Sequence, residues 1–278
     1  MLLRFFLSAV VVCPLLAQDA KVAPQSVKIE FDSAKPETIQ SRLAKAPGSN
    51  AERAAVLHEM FEGAGCSGAM LSDQQVPDGR QPNVICSSTG QGGSVIVVGA
   101  HLDFREPGQG AVEDWSGASL LPSLFESLHD TPRRHTFVFV AFTDRDKERL
   151  GSNFYLNSLN AAQRAKIKAM VNLDALGLSS TKVQLDGCDK VLSMRMASIA
   201  KALGLKVGGA NSPVVADSDS LSFARFQIPV ITIHSLLPDN AAIVGTPKDV
   251  AAAVNMTDYY DSYRLVAAYL VYLDQMLD

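Results

Sequence analysis

The sequence predicts an α/β domain built on a mixed, mostly parallel sheet covered by helices on both faces. Three observations carry that expectation. Near-continuous apolar runs recur at 95–98, 134–142 and 169–173, rich in β-branched residues; the first is too short for a helix, and each reads as a strand buried on both faces. Segments with helical spacing separate these runs, the alternation of a parallel sheet. Each run also ends in a polar cluster: His101-Leu102-Asp103, Thr143-Asp144-Arg145-Asp146, and Asp174. In open α/β sheets the carboxyl ends of the strands form the rim where ligands bind.

Taken in order, residues 1–17 carry an early Arg4, a short apolar core and Ala17 before a polar stretch. That is the pattern of a secretory signal peptide, too short for a membrane span, and implies a secreted or periplasmic protein. Val12 before Cys13, where a lipoprotein signal needs a small residue, argues against lipidation. Residues 18–278 are expected to form one domain: a helical and hairpin lead-in at 36–90, a core at 94–249, and a C-terminal helix at 258–277. Helices are expected at 36–46 and 50–63, the second from Ala54, Ala55, Leu57 and Phe61 at helical spacing. Strands at 70–76 and 82–88 flank a PDGRQP turn. After the organising strand come a helix at 118–128, the strand 134–142, helices at 152–159 and 160–166, and the strand 169–173. Strands at 182–185 and 230–233, a long helix at 191–203 and a short one at 250–255 complete the chain before the amphipathic C-terminal helix.

Composition narrows the partners. Charged residues are 19% and hydrophobic ones 47%, a globular balance, and the formal net charge of −4 without a basic stripe argues against nucleic acid. No segment after the signal approaches membrane length. With Cys13 removed, Cys66, Cys86 and Cys188 remain. Cys66 and Cys86 flank the hairpin, so in an oxidising compartment they are expected to bridge and leave Cys188 free.

The stretch 94–117 concentrates the chemistry. His101 and Asp103 end the strand, a Gly/Pro-rich loop follows, and Glu113 and Asp114 precede Ser116-Gly117. One nitrogen with several oxygens suits zinc or another divalent ion. The alternative is a loop in which His101 pairs structurally with Asp103. Six segments then add up: GAHLD (99–103), EDWSG (113–117), FTDRDKERLGS (142–152), NLDALG (172–177), SDSLSF (218–223) followed by Ile228-Pro229, and GTPKD (245–249). In this order they resemble the co-catalytic di-zinc aminopeptidases, metallopeptidase family twenty-eight.

The resemblance implies a three-layer α/β/α sandwich of the zinc aminopeptidase type and cleavage of N-terminal residues by a metal-activated hydroxide. It assigns the first metal histidine to His101 and the aspartate that orients it to Asp103. The bridging carboxylate falls on Glu113, where the family has Asp, with Asp114 in place of the usual Asn. The metal aspartate after the third strand is Asp174. The family's paired glutamates fall on Arg145 and Asp146: Asp146 can still ligate, but Arg145 holds the general-base position, and a guanidinium stays protonated. The last metal histidine falls on Gly245. Among the other histidines only His234, at a strand end, is a candidate substitute; Glu148 and Asp144 are candidate substitutes for the base.

The residues thus point first to a catalytically silent, aminopeptidase-like pseudoenzyme that binds a peptide or protein, with at most one zinc or none, and with Arg145 as an internal cation among Glu113, Asp146 and Asp174. An active single-metal aminopeptidase on His101, Glu113 and Asp174 is the alternative, and a glutaminyl cyclase-like enzyme comes third.

Overall fold

The computed structural model describes residues 27–278 apart from 105 and 106, so the expected signal peptide lies outside the described residues. The lead-in is α1 (Pro36–Ala44), α2 (Asn50–Gly63), β1 (Leu71–Gln74) and β2 (Asn83–Ser88). β3 (Val95–His101) follows, then a single wide turn at Ala111–Trp115 in which the Trp115 N–H donates to Gly110 C=O at 3.0 Å. After α3 (Ser116–Ala118) and α4 (Leu121–Leu128) come β4 (Thr136–Phe142), α5 (Leu150–Ser158), α6 (Ala161–Arg164) and β5 (Ile167–Leu173). β6 (Lys182–Val183), α7 (Lys190–Leu203), β7 (Gly208–Gly209), α8 (Pro213–Ala216), α9 (Ser220–Ala224), β8 (Val230–His234) and α10 (Met256–Met276) complete the chain.

The helix expected at 118–128 is α4, which starts later, at Leu121, after the separate short α3. Pro122 has no N–H to donate four residues back, and its ring crowds that carbonyl, so the helix restarts at Leu121. The short helix expected at 250–255 is only a tight turn at Ala251–Ala253, and the strand expected at 182–185 stops after two residues. α10 is capped by Asn255, whose side chain accepts from the N–H groups of Thr257 and Asp258, a cap worth about 1 kcal/mol.

The strands form one sheet in the order β1-β2-β4-β3-β5-β8-β6-β7. The pairs β3–β4, β3–β5, β5–β8 and β6–β7 are parallel; β1–β2, β2–β4 and β6–β8 are antiparallel. Alternation along the strands divides the core. Ile96, Val98, Phe137, Phe139, Val171 and Ile231 pack against α2, α4, α7 and α10, while Val97, Val140, Phe142 and Met170 pack against Tyr155 and Leu156 of α5 and Phe223 of α9. The result is a three-layer α/β/α sandwich with a mixed, mostly parallel sheet.

Two details fix the rim. β4 lies on one side of β3 and β5 on the other, so the chain order reverses at β3, the place where open sheets leave a crevice. Gly117 lets the start of α3 approach it closely, because a Cβ there would stand 2.5 Å from the Leu173 carbonyl oxygen. Cys66 and Cys86 are joined by a disulfide tying the segment just after α2 to β2, and Cys188 is free. Among the described residues no helix is long and apolar enough to cross a membrane.

Candidate functional site

The carboxyl ends of β3, β4 and β5 bring His101, Asp103, Asp144, Arg145 and Asp174 to one rim, and the wide turn adds Glu113 and Asp114. That turn is held from below. Asp249 accepts from the Val112 N–H at 2.6 Å and from the Gly245 N–H at 3.2 Å. The buried Arg53 donates to the carbonyls of Leu102, at 2.8 Å, and Gln109, with its guanidinium 4.3 Å from the Phe104 ring and 5.4 Å from Trp115.

Arg145 enters the acidic cluster rather than solvent. Its Nη2 lies 2.7 Å from Glu113 Oε1 and its Nη1 3.6 Å from Asp174 Oδ2; Nη1 also donates to the Val214 carbonyl at 3.3 Å. Burial alone would lower its pKa, but Asp174 and Glu113 outweigh burial and raise it, so the charge is fixed. The carboxylates go the other way. Burial pushes Glu113 and Asp174 up to about 7 and Asp114 up to about 8, with mutual repulsion adding to it.

His101 is fully buried at the end of β3. Its Nε2 is 2.7 Å from Asp114 Oδ1 and its Nδ1 3.9 Å from Asp174 Oδ2, yet neither ring nitrogen makes an aligned hydrogen bond among the described residues. Both oxygens of Asp174 and of the buried Asp219 are likewise without an aligned partner there. Buried polar groups normally find partners, so these orphaned atoms mark the site.

The ligand set read from the sequence is not assembled as one group. His101, Glu113 and Asp174 converge, but Asp146 turns away to Arg80 and stands with Asp103 and Asp144. The expectation that Arg145 would also balance Asp146 is therefore corrected: two different arginines serve the two sets. Arg80 donates from Nη2 to Asp103 at 2.9 Å and to Asp146, from Nε to Asp144, and from its backbone N–H to Asp144 at 2.7 Å. Asp103 reaches His101's neighbourhood but contacts Arg80; burial still pushes its carboxyl up to about 7. Sequence reasoning passed over Arg80, Asp219 and Asp114 as partner of His101. Asp114 and Asp219 lie within the EDWSG and SDSLSF segments, whereas Arg80 lies in the PDGRQP turn, outside all six.

The candidate substitutes fare no better. His234 donates from Nε2 to the Ala210 carbonyl and accepts at Nδ1 from the Leu236 N–H, both at 3.0 Å. Burial pushes its pKa down to about 4, so it stays neutral with both nitrogens engaged. Glu148 is exposed on its loop. Asp144 is buried against Arg80, which holds its carboxyl below the usual range although burial opposes this.

Two clusters could hold a metal ion, His101 with Glu113 and Asp114, and Asp103 with Asp144 and Asp146. The residues present do not fit the co-catalytic zinc pair that the sequence resemblance implies. A guanidinium already stands between Glu113 and Asp174, and another reaches all three carboxylates of the second cluster. Gly245 is the third obstacle. Its φ is +67°, and a Cβ there would stand 4.0 Å from Glu113 Oε2, so the position faces the cluster but offers it no ligand.

Comparison with known proteins bears on the fold and the family. The chain is 31% identical over 121 residues to a probable leucine aminopeptidase 2 of Aspergillus fumigatus, an alignment covering 43% of this chain and 24% of that one. It thus spans about a quarter of that relative's length. Among solved structures, the zinc aminopeptidase BSAP from Bacillus subtilis matches at 21% identity and TM-score 0.63, over 68% of this chain and 49% of that one. The Legionella pneumophila LapA aminopeptidase matches at 19% and 0.75, over 87% and 71%. A glutaminyl cyclase from Fimbriiglobus ruber matches at 15% and 0.68, over 92% and 99%. At these identities the structures speak for the fold. The family model described as peptidase family M28 matches residues 83–270, from the start of β2 into α10, and takes in His101, Glu113, Arg145 and Asp174. The chain belongs to peptidase family M28.

Proposed function

We propose that this chain is an exported aminopeptidase-fold protein that is catalytically silent in metal-dependent hydrolysis and uses its rim to bind a peptide or protein. One observation carries the reading: the Arg145 guanidinium lies 2.7 Å from Glu113 Oε1, at the position where a metallo-aminopeptidase needs a proton acceptor. An arginine cannot take that proton, and its charge occupies the place where a cation would join Glu113 to Asp174. Export is supported by the signal-like residues 1–17 and by the Cys66–Cys86 bridge, which suits an oxidising compartment.

The test is hydrolysis of aminoacyl chromogenic amides by the purified chain. The expected result is no metal-dependent turnover above background. A chelator-sensitive rate that returns with added zinc would overturn the reading. That outcome would favour the alternative, an active single-metal aminopeptidase on His101, Glu113 and Asp174, which the orphaned ring nitrogens of His101 and oxygens of Asp174 support. The glutaminyl cyclase likeness is one of fold and length, and the arginine at 145 and glycine at 245 weigh against that chemistry as well.

A further inference from the structure

The second carboxylate cluster is also closed by an arginine, from elsewhere in the fold, although it lies nearer the surface: the Arg80 side chain is 33% exposed and that of Asp146 25%. Asp103 comes from the segment after β3, Asp144 and Asp146 from the loop after β4, and Arg80 from the connection between β1 and β2. The Arg80 side chain and backbone together donate to all three. Lys147 Nζ adds a weaker contact, 3.3 Å from Asp144 Oδ1. The two clusters also touch through Asp103, whose Oδ2 accepts from Arg80 while its Oδ1 faces the Arg145 backbone N–H at 3.4 Å. Asp144 sits at φ +54°, a left-handed conformation that a non-glycine residue keeps only when its surroundings hold it. Arg80 supplies that hold with two hydrogen bonds to the same carboxylate.

We propose that Arg80 is a second internal cation of the rim, closing the Asp103–Asp144–Asp146 set against divalent ions as Arg145 closes Glu113 and Asp174. The inference rests on the reading that the rim is held without metal, and it adds a residue that no motif of the chain marks. Three carboxylates with no nitrogen or sulfur form a hard oxygen set, the kind that takes manganese or calcium once its resident cation is removed.

Manganese is the probe, since the free ion's electron paramagnetic resonance signal falls as it binds. Arg80→Met keeps the apolar stem and deletes the charge and the guanidinium; Arg80→Gln keeps a donor for Asp144 and serves if the methionine variant does not fold. The folded variant is expected to bind manganese at least about tenfold more tightly than wild type. Adding Asp146→Asn to the same chain should abolish the gain, which places the ion in this cluster. Arg145→Ala opens the other set instead, since its guanidinium faces Glu113 and Asp174, so any manganese that variant takes up should survive Asp146→Asn. A folded Arg80 variant that binds manganese no better than wild type overturns the inference, as does a gain that survives Asp146→Asn. The two readings fail separately. Chelator-sensitive hydrolysis by wild type would overturn the silent reading, and the manganese titrations would still decide the role of Arg80.

Discussion

Asp144 and Asp174 follow neighbouring parts of the same rim, one after β4 and one after β5, and both side chains are fully buried. Their acidities nevertheless move apart. Burial pushes Asp174 up to about 7, and His101 and Arg145 only partly offset it. Burial pushes Asp144 up too, but the backbone N–H and guanidinium of Arg80 outweigh it and hold the carboxyl below its ordinary value. Depth and donors both contribute: Asp174 lies deeper in the protein, and the two differ in the hydrogen bonds that reach them. Asp144 accepts aligned hydrogen bonds from Arg80, whereas Asp174 has Arg145 only at 3.6 Å and no aligned hydrogen bond among the described residues. A buried carboxylate is comfortable where donors reach it and costly where only charge lies nearby.

The largest expected effect comes from breaking the weaker arrangement. Arg145→Ala leaves Glu113, Asp114 and Asp174 facing one another, and should cost about 2–3 kcal/mol, less than a fully buried broken pair because the side chain is 13% exposed. Added zinc should restore much of that loss, by about 2.7 kcal/mol at a hundred times the dissociation constant. Thermal melts with and without zinc are the measurement, and equal zinc shifts in variant and wild type would contradict it.

Asp144→Asn probes the stronger arrangement. It removes charge-assisted bonds to Arg80 and should cost about 2 kcal/mol at neutral pH. Asp144 has a depressed folded pKa, so its contribution is present above its unfolded value of 3.8 and is lost as pH falls through the folded one. The gap between this variant and wild type should therefore shrink in acid, as read from urea melts.

Asp174→Asn should give the smallest change and the opposite slope. A folded pKa of about 7 against an ordinary 3.8 means that Asp174 favours folding below 3.8 and loses that contribution as pH rises through about 7. The variant should gain on wild type across that window, with a difference at pH 5 of within about 1 kcal/mol. Parallel slopes for Asp144→Asn and Asp174→Asn would break the comparison.

Much of this architecture was legible in local pattern. The strands at β3, β4, β5 and β8 are short apolar runs whose ends carry the motif residues, so His101, Glu113 and Asp174 could be placed on a rim before any coordinates. Arg145 is readable from its place in the FTDRDKERLGS segment, and a guanidinium among several carboxylates is expected to turn toward them. Arg80 was not legible, because it sits in a turn distant in sequence and pairs only through folding. Asp146 was misplaced for the same reason: counting along a motif fixes position, while the nearest cation decides where a side chain turns. Asp219 lies within the SDSLSF segment, but the segment alone does not say that its carboxylate is buried without an aligned partner. The break between α3 and α4 was readable in Pro122 but hidden by the apolar spacing around it.

Bound metal in the purified chain tests the central claim most directly. After incubation with zinc and exhaustive dialysis, wild type should retain essentially no zinc, while Arg145→Ala, with its guanidinium gone from between Glu113 and Asp174, should retain up to about one ion per chain. Close to one zinc per chain in wild type, held by His101 and its neighbouring carboxylates, would contradict the account.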